Sequence, residues 1–310
     1  MQPFSLELPG EGNVAGICSL PFSVSNTSPK SRPLIIGLHG GGYNSEYFNA
    51  HPAYTAAIPS TAYQVPFVAI DRPCYGGTSS FLPIPRESSF PLESGKWLHE
   101  RIIPAIWREF GVPQACTCVV LLCHSLGVAA GVPAAAMCAA DTDPAYPLGG
   151  IIASGLGSEA HKDMKHAGAP QANFGPDHIK NPAEGKDQVM FAPGTVDPEI
   201  LELSEKLNQP MPVEEVRGML DTWIPQWRHR WAPEITVPVM FALAGLDKFY
   251  EPSQKHLETC VKAFSKSPRV DGSVINGAPH CIELSYWSHG WYARCFGFAL
   301  ECAAAHTTKS

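Results

Sequence analysis

Charged residues are scarce in this chain of 310 residues, at 16% of the composition, and they form no basic run. The 22 lysines and arginines against 29 aspartates and glutamates give a formal net charge of −7. Because nucleic acids and anionic membrane surfaces bind clusters of basic residues, neither is an expected partner. No apolar stretch reaches the roughly 18 uninterrupted residues of a transmembrane helix, so no membrane span is expected.

Targeting signals are lacking too. The N-terminal residues have neither the basic region nor the long apolar core of a secretory signal peptide, and the C-terminal Thr-Lys-Ser is not a peroxisomal signal. The ten cysteines are scattered, several of them inside apolar runs. Without a secretion signal this pattern is typical of reduced core thiols, not of a disulfide framework. We therefore expect a cytoplasmic protein, while its oligomeric state is not indicated.

Metal-ligand spacing is also missing. Cys116 and Cys118 are too close together to form a strong metal motif, and His161, His166 and His178 are irregularly spaced in a polar segment. Surface histidines are the simpler interpretation of that segment. No metal and no cofactor is expected.

What the sequence does contain is a repeated succession of apolar strands and helices. A hairpin is predicted at residues 4–8 and 14–20. Buried strands follow at 33–38, 65–70, 116–122, 148–153, 237–245 and 269–275, with helices at 93–110, 126–140, 253–264 and near the C-terminus. Strands that are apolar without alternation are typical of sheets covered on both faces. The pattern predicts an α/β fold with an open, mostly parallel central sheet and helices on both faces.

Residues 156–235 interrupt this succession. The segment begins with a polar stretch without clear periodicity and continues with helices that start near Asp197 and Pro212. A stretch of this length is too long for an ordinary loop. We expect a mostly helical cap or lid at 156–235, inserted into a core formed by residues 1–155 and 236–310.

Ser125 lies between an apolar β-branched run and an alanine-rich segment, in Cys123-His-Ser-Leu-Gly127. A nucleophilic serine needs this strand, sharp turn and helix, with small residues two positions before and after it. Gly127 meets that demand. Cys123 departs from the usual glycine but is small enough to be tolerated.

Polar residues follow the ends of several predicted strands: His39, Asp71, Ser125, Asp247 and His280. In open parallel sheets the carboxyl ends of the strands carry the site. A serine hydroxyl needs a base, a carboxylate that orients the base, and donors for the oxyanion. His280 is the candidate base and Asp247 the candidate acid.

Other carboxylates compete for the role of the acid. Glu159 follows the strand that ends at Ala153 and is the serious alternative, whereas Asp221 and Glu283 are weaker candidates. Asp71 and Arg72 are expected to brace a loop near the site.

The motifs together resemble the α/β-hydrolase superfamily over nearly the whole chain, in particular its capped, soluble esterase and epoxide-hydrolase-like branch. They are His39-Gly-Gly-Gly, Asp71-Arg-Pro-Cys-Tyr-Gly-Gly-Thr-Ser, Cys123-His-Ser-Leu-Gly, Gly245-Leu-Asp and Pro279-His. The resemblance implies an α/β-hydrolase fold and an oxyanion hole built from the backbone N–H groups of Leu126 and Gly41, with Gly42 as second choice for the latter. A serine in place of aspartate argues against an epoxide hydrolase or a haloalkane dehalogenase.

These features predict a serine hydrolase that cleaves an ester, lactone, thioester or amide. Acyl transfer, cyclisation or C–C lysis by the same residues stays open, as does a ligand-binding receptor on this fold. Trp223, Trp227 and Phe191 either roof an apolar pocket for a bulky small-molecule substrate or, for the helically spaced tryptophans, form the core of the cap. Tailoring or degradation of natural products is a further expectation.

Overall fold

The computed structural model describes residues 1–21, 31–162 and 177–309. His166 and part of the predicted lid therefore lie outside the described residues. Within these ranges, eight strands form the main sheet in the order β1-β2-β4-β3-β5-β6-β9-β10, and β7 and β8 form a small antiparallel pair. The strands are β1 Gln2–Glu7, β2 Asn13–Ser19, β3 Pro33–Leu38, β4 Phe67–Ile70, β5 Cys118–His124, β6 Leu148–Ser154, β7 His178–Ile179, β8 Met211–Pro212, β9 Val239–Ala244 and β10 Val270–Ile275.

The direction of the strands follows the prediction. β1 and β2 form an antiparallel hairpin, and β2 pairs antiparallel with β4. All remaining pairs of the main sheet are parallel, from β4 through β3, β5, β6 and β9 to β10. The predicted fold class, a mostly parallel sheet surrounded by helices, is confirmed.

Helices occupy the connections. They are α1 Ala57–Tyr63, α2 from Phe90 to Gly111, α3 Leu126–Ala140, α4 Ala183–Met190, α5 Pro198–Glu202, α6 Ser204–Leu207, α7 from Val213 to Arg230, α8 Gln254–Val261 and α9 Ser288–Lys309. α2 contains π-type turns at Leu98–Ile102 and Trp107–Gly111 on either side of Pro104. Proline lacks the N–H of a regular helical turn, and the chain continues through it as helix instead of splitting in two. In the part of the chain that is described, no helix is long and apolar enough to cross a bilayer.

Successive residues of the central strands lie in two separate apolar layers. In β3, Leu34 and Ile36 belong to one layer and Ile35 to the other; in β5, Leu121 and Leu122 divide in the same way. Helices α2, α3 and α7 contribute to the first layer, whereas α9 contributes to the second. Each fully buried aliphatic side chain stabilises the fold by about 1.5–3 kcal/mol. Burial on both faces explains why these strands show no polar alternation.

Helix α7 lies within the predicted cap, yet it packs on the sheet. Trp227 lies 5.6 Å from Trp223 in a stacked pair, and its ring is 6.2 Å from Phe241 of β9. Trp223 stacks in turn on Trp231 at 5.5 Å. All three tryptophans belong to the same buried layer as Phe241 and Phe264. Their packing is that of core residues.

Candidate active site

Ser125 occupies the turn between β5 and α3 with φ 50° and ψ −125°, a backbone conformation that non-glycine residues rarely adopt. Its N–H donates to the carbonyl of Ser154 at 2.7 Å, and its carbonyl accepts from the N–H of Val128 at 2.8 Å. A Cβ on Gly127 would lie 2.3 Å from the carbonyl oxygen of Leu38, so only glycine fits there. The surrounding backbone therefore holds Ser125 in a strained turn at the end of the strand.

Cys123 is accommodated by a glycine in the following helix. A Cβ on Gly131 would lie 2.4 Å from the Cys123 sulfur. The thiol is completely buried, and burial raises its pKa well above the usual range. Cys123 thus fills a gap under α3 and stays protonated.

Ser125, His280 and Asp247 lie in one chain of hydrogen bonds. Nε2 of His280 is 3.1 Å from Ser125 Oγ, and Nδ1 is 2.9 Å from Asp247 Oδ2. His280 and Asp247 are each 2% exposed, whereas Ser125 is half-buried. The three side chains come from the ends of β5, β9 and β10, as expected from the parallel sheet.

The second oxygen of Asp247 is also bonded. Its Oδ1 accepts the N–H groups of Phe249 at 2.7 Å and Tyr250 at 3.3 Å. We call residues 276–281, which carry His280, the base loop. The loop that carries Asp247 is joined to it by the bond from Leu246 N–H to Ala278 O at 2.9 Å. A second bond, from Gly245 N–H to Ile275 O at 2.9 Å, joins the Asp247 loop to the end of β10. The carboxylate and the imidazole are therefore held in fixed relative positions.

The competing carboxylates are placed elsewhere. Glu159 is exposed, and its backbone N–H donates to His256 Nε2 at 3.0 Å. Asp221 is exposed on α7. Glu283 is fully buried and accepts from Tyr47 Oη at 2.7 Å and Trp291 Nε1 at 2.8 Å. Among these candidates, Asp247 is the acid bonded to His280.

A buried polar layer lies beside His280. The ring of His124 is 5.0 Å from that of His280 and stacks on Tyr47 at 5.0 Å, while its Nδ1 lies 3.2 Å from Ser154 Oγ. Burial, followed by the nearby His280, lowers the pKa of His124 well below its usual value, so its ring is neutral. Burial raises the pKa of Glu283 in the same layer. Tyr47 and Glu283 have no local sequence signal, because they meet only in the folded chain.

The loop from His39 to Tyr43, which we call the glycine loop, packs on Ser125 and Leu126. A Cβ on Gly40 would lie 3.0 Å from the Cβ of Ser125, and one on Gly41 would lie 2.6 Å from Leu126 Cδ1. Leu126 is the first residue of α3, where a helix leaves backbone N–H groups without intrahelical acceptors. The structure thus brings Leu126 and Gly41 together beside the serine.

Arg72 braces the start of the glycine loop. Its backbone N–H donates to His39 Nε2 at 3.1 Å, and its Nε donates to the carbonyl of His39 at 2.6 Å. His39 Nδ1 in turn donates to the carbonyl of Gly40 at 2.7 Å. The guanidinium is paired with Glu215 of α7, and Tyr75 bonds the same carboxylate. Arg72 and Glu215 are 1% and 3% exposed. This placement agrees with the expected bracing role of Arg72, whereas no sequence pattern indicates the part played by Glu215.

Gly42, at the other end of the loop, has φ 71°. Its carbonyl accepts from the N–H of Gln209 at 3.0 Å and from Lys186 Nζ at 3.1 Å. Lys186 lies on α4 and is only 4% exposed. Two residues from the predicted insertion therefore contact the backbone beside the oxyanion candidates.

The predicted aromatic residues fall on different faces. Phe191 follows α4, is 8% exposed and shares its apolar layer with Tyr43 and Cys281 near the base loop. Trp223 and Trp227 lie in the other layer, as described above. Phe191 directly follows Met190, whose carbonyl accepts the N–H of Cys281 at 3.2 Å, so it is the predicted aromatic next to the base loop.

A cavity of about 530 Å³ lies at the opposite ends of the strands from these residues. It is bordered by Leu148 and Val237, which lie at the amino ends of β6 and β9. A much smaller cavity of about 10 Å³ borders Leu126, Met219 and Glu215. Across the described ranges, no group of three or more His, Cys, Asp or Glu residues could hold a metal ion.

Comparison with known proteins places this arrangement in context. A model described as the alpha/beta hydrolase family matches residues 35–293. The N-acyl homoserine lactonase AidH is 16% identical, with 97% of each chain covered and a TM-score of 0.62. A thermophilic esterase from Thermogutta terrifontis is 14% identical, with 98% of this chain and 100% of that chain covered and a TM-score of 0.62.

A thioesterase domain from the curacin biosynthetic pathway is also similar, at 15% identity, with 97% of this chain and 99% of that chain covered and a TM-score of 0.54. At these identities the similarity establishes the fold. No curated protein sequence matches significantly.

Proposed function

The chain belongs to the alpha/beta hydrolase family, and on that premise we propose that it is a serine hydrolase that cleaves acyl bonds through an acyl-enzyme. The observation that carries this proposal is the continuous hydrogen-bonded chain from Ser125 through His280 to Asp247, at 3.1 Å and 2.9 Å. Ser125 attacks the acyl carbon while His280 Nε2 takes its proton. Asp247 holds the proton on Nδ1, which leaves Nε2 free to accept.

The reaction then proceeds in two halves. The tetrahedral oxyanion receives hydrogen bonds from the N–H of Leu126 and the N–H of Gly41, with Gly42 as the alternative to Gly41. His280 returns its proton to the leaving group, and the acyl group remains on Ser125. Water that is deprotonated by His280 attacks the acyl-enzyme, and His280 then returns this proton to Ser125 Oγ as the acid is released. The chain's own residues supply each of these steps.

The proposed substrate is an ester, lactone, thioester or amide of an apolar small molecule. Similarity to a lactonase, an esterase and a thioesterase supports acyl chemistry of this range. Phe191 is the proposed aromatic contact, because it follows the helix that bonds the base loop through Met190 O and Cys281 N–H at 3.2 Å. The protein's ten free cysteines are compatible with the proposed cytoplasmic location.

A fluorophosphonate probe tests the nucleophile. Wild type should be labelled covalently and should hydrolyse a series of p-nitrophenyl acyl esters. Ser125→Ala should lose labelling and should lose kcat by about 10⁴-fold or more, because the nucleophile is gone. Ser265→Ala, an exposed serine between α8 and β10, is the matched control and should behave like wild type. Equal labelling of wild type and Ser125→Ala, or an unreactive wild type, would overturn the proposal.

A further inference from the structure

Lys186 is buried, and among the described residues no carboxylate is directly bonded to its ammonium group. Its Nζ donates to Gly42 O at 3.1 Å and to Leu207 O at 3.2 Å, and it lies 3.9 Å from the centre of the Tyr43 ring. An ammonium has three donors and loses free energy on burial unless they are used. The ammonium of Lys186 uses its donors on two carbonyl oxygens and lies against one aromatic face. Two of the three partners, Gly42 and Tyr43, belong to the glycine loop.

These contacts fix the peptide that follows the oxyanion candidates. The carbonyl of Gly42 is held by the ammonium and also by the N–H of Gln209 at 3.0 Å. Gly42 has φ 71°, and glycine tolerates many backbone conformations, so its own torsions do not fix the orientation of the preceding peptide. The two hydrogen bonds to the Gly42 carbonyl restrict these torsions and so limit the rotation of the peptide that joins Gly41 and Gly42. The direction in which the loop N–H groups point therefore depends on how the Gly42 carbonyl is held.

The same helix also contacts the base loop. The carbonyl of Met190, at the end of α4, accepts the N–H of Cys281 at 3.2 Å. The sulfur of Cys281 lies 3.5 Å from Tyr43 Oη. Thus Lys186 of α4 is hydrogen-bonded to the glycine loop, and Met190 of the same helix is hydrogen-bonded to Cys281, the residue after His280. One short helix connects the two halves of the catalytic apparatus.

We propose that Lys186 is a positioning residue that fixes the glycine loop for oxyanion binding. The inference rests on the proposed serine hydrolase function. Lys186 acts through the Gly42 carbonyl and touches no reacting atom. Its loss lowers transition-state stabilisation, because a donor displaced by even about 1 Å can cost on the order of 100-fold in rate.

Titration offers a readout that a merely structural lysine would not change. Burial lowers the pKa of Lys186 to about 8, against smaller opposing effects of nearby acidic groups. The ionisable groups around the ammonium are Tyr43, Cys281, Asp187, Lys180 and Glu205. Deprotonation removes the charge that strengthens the bond to Gly42 and the contact with Tyr43. Arginine stays protonated throughout the accessible range.

The experiment compares wild type with Lys186→Met, Lys186→Arg and the control Lys206→Met, an exposed lysine of the same insertion. Initial rates on p-nitrophenyl butanoate are measured from neutral to alkaline pH, with Ser125→Ala as background. Lys186→Met should lower kcat by about 10- to 100-fold with KM within about threefold of wild type. Lys186→Arg should recover part of kcat. The wild-type kcat should fall as Lys186 deprotonates, and neither Lys186 variant should show that fall.

Unchanged kcat in a folded Lys186→Met variant overturns the inference, as does a change in KM alone. If Lys186→Met does not fold, the wild-type profile decides. A fall of kcat on the alkaline side that Lys186→Arg removes supports the role, and a flat wild-type profile contradicts it. Failure of the proposed serine hydrolase function can be distinguished from failure of the Lys186 inference. In the former case wild type would be inactive or Ser125→Ala would remain active.

Discussion

Two buried cations hold opposite ends of the glycine loop, and they do so by different means. Arg72 donates to the His39 carbonyl at 2.6 Å and has a carboxylate partner, Glu215, in the same buried site. Lys186 donates to the Gly42 carbonyl at 3.1 Å and relies on a second carbonyl and an aromatic ring. One end of the loop is thus held by an arginine in a buried ion pair, and the other by an ammonium whose bonded partners among the described residues are carbonyl oxygens.

The difference appears in the two pKa values. Burial opposes the charge on Arg72, but Glu215 and Tyr75 outweigh it and raise its pKa. For Lys186 burial dominates, and the pKa falls to about 8. The start of the loop is therefore insensitive to pH, whereas its end responds to moderately alkaline conditions. Three substitutions can test this contrast.

Removal of the counterion should have the largest effect. Glu215→Gln leaves the Arg72 charge buried without its partner, so the free energy of unfolding should fall by about 3–5 kcal/mol in urea denaturation. The neighbouring Glu214→Gln is the control. Glu214 pairs with Arg217 at 2.6 Å on the surface, and such pairs contribute about 0–1 kcal/mol. Equal losses of unfolding free energy in the two variants would show that the buried pair contributes no more to stability than the surface pair.

Alkaline titration should distinguish the lysine from the arginine. Because the folded-state pKa of Lys186 is about 8 and its ordinary value is 10.5, the unfolded chain binds more protons between these values. The contribution of Lys186 to the free energy of unfolding therefore rises with pH between about 8 and 10.5 and is constant outside this range. The difference in unfolding free energy, wild type minus Lys186→Met, should grow by at most about 3 kcal/mol from the lower to the higher pKa. A difference that stays constant or shrinks over this window contradicts the assigned shift.

Backbone strain should give the smallest effect. Gly42→Ala places a side chain at φ 71° but only in ordinary contact with Lys186 Cδ, at 3.6 Å. The expected cost is about 1 kcal/mol of stability. Gly185→Ala in α4 meets nothing within 4 Å and should be neutral or slightly stabilising, since alanine favours helix. Thermal unfolding of both variants makes the comparison. An equally stable Gly42→Ala would mean that the loop relaxes to another conformation.

The strand ends were predictable from the sequence because their signals are local. An apolar run followed by a small-residue turn identifies Ser125, and the same reasoning places Asp247 and His280 at neighbouring strand ends. The choice of Asp247 over Glu159 also agrees with the observed bond to His280. The sheet follows from the apolar runs, since their burial on both faces dictates their composition.

The contacts from the insertion were not predictable. Lys186 and Glu215 contact the glycine loop and Arg72 across 144 and 143 residues of sequence. No local pattern encodes such a contact. The tryptophan stripe of α7 shows a related limit. Helical spacing indicates that one face of the helix is buried, but it does not indicate whether that face meets a substrate or, as in the case of Trp227, Phe241 of the sheet.

The close approach of Gly131 to Cys123 links two positions that are eight residues apart on different elements. They share a single volume, so a larger residue at one requires a smaller residue at the other. Exchange of the whole CH2SH side chain for a hydrogen by Cys123→Gly would open room for a methyl group from Gly131→Ala. The unusual residue before the serine is thus half of a compensating pair, and the two positions should be changed together in any redesign of this turn.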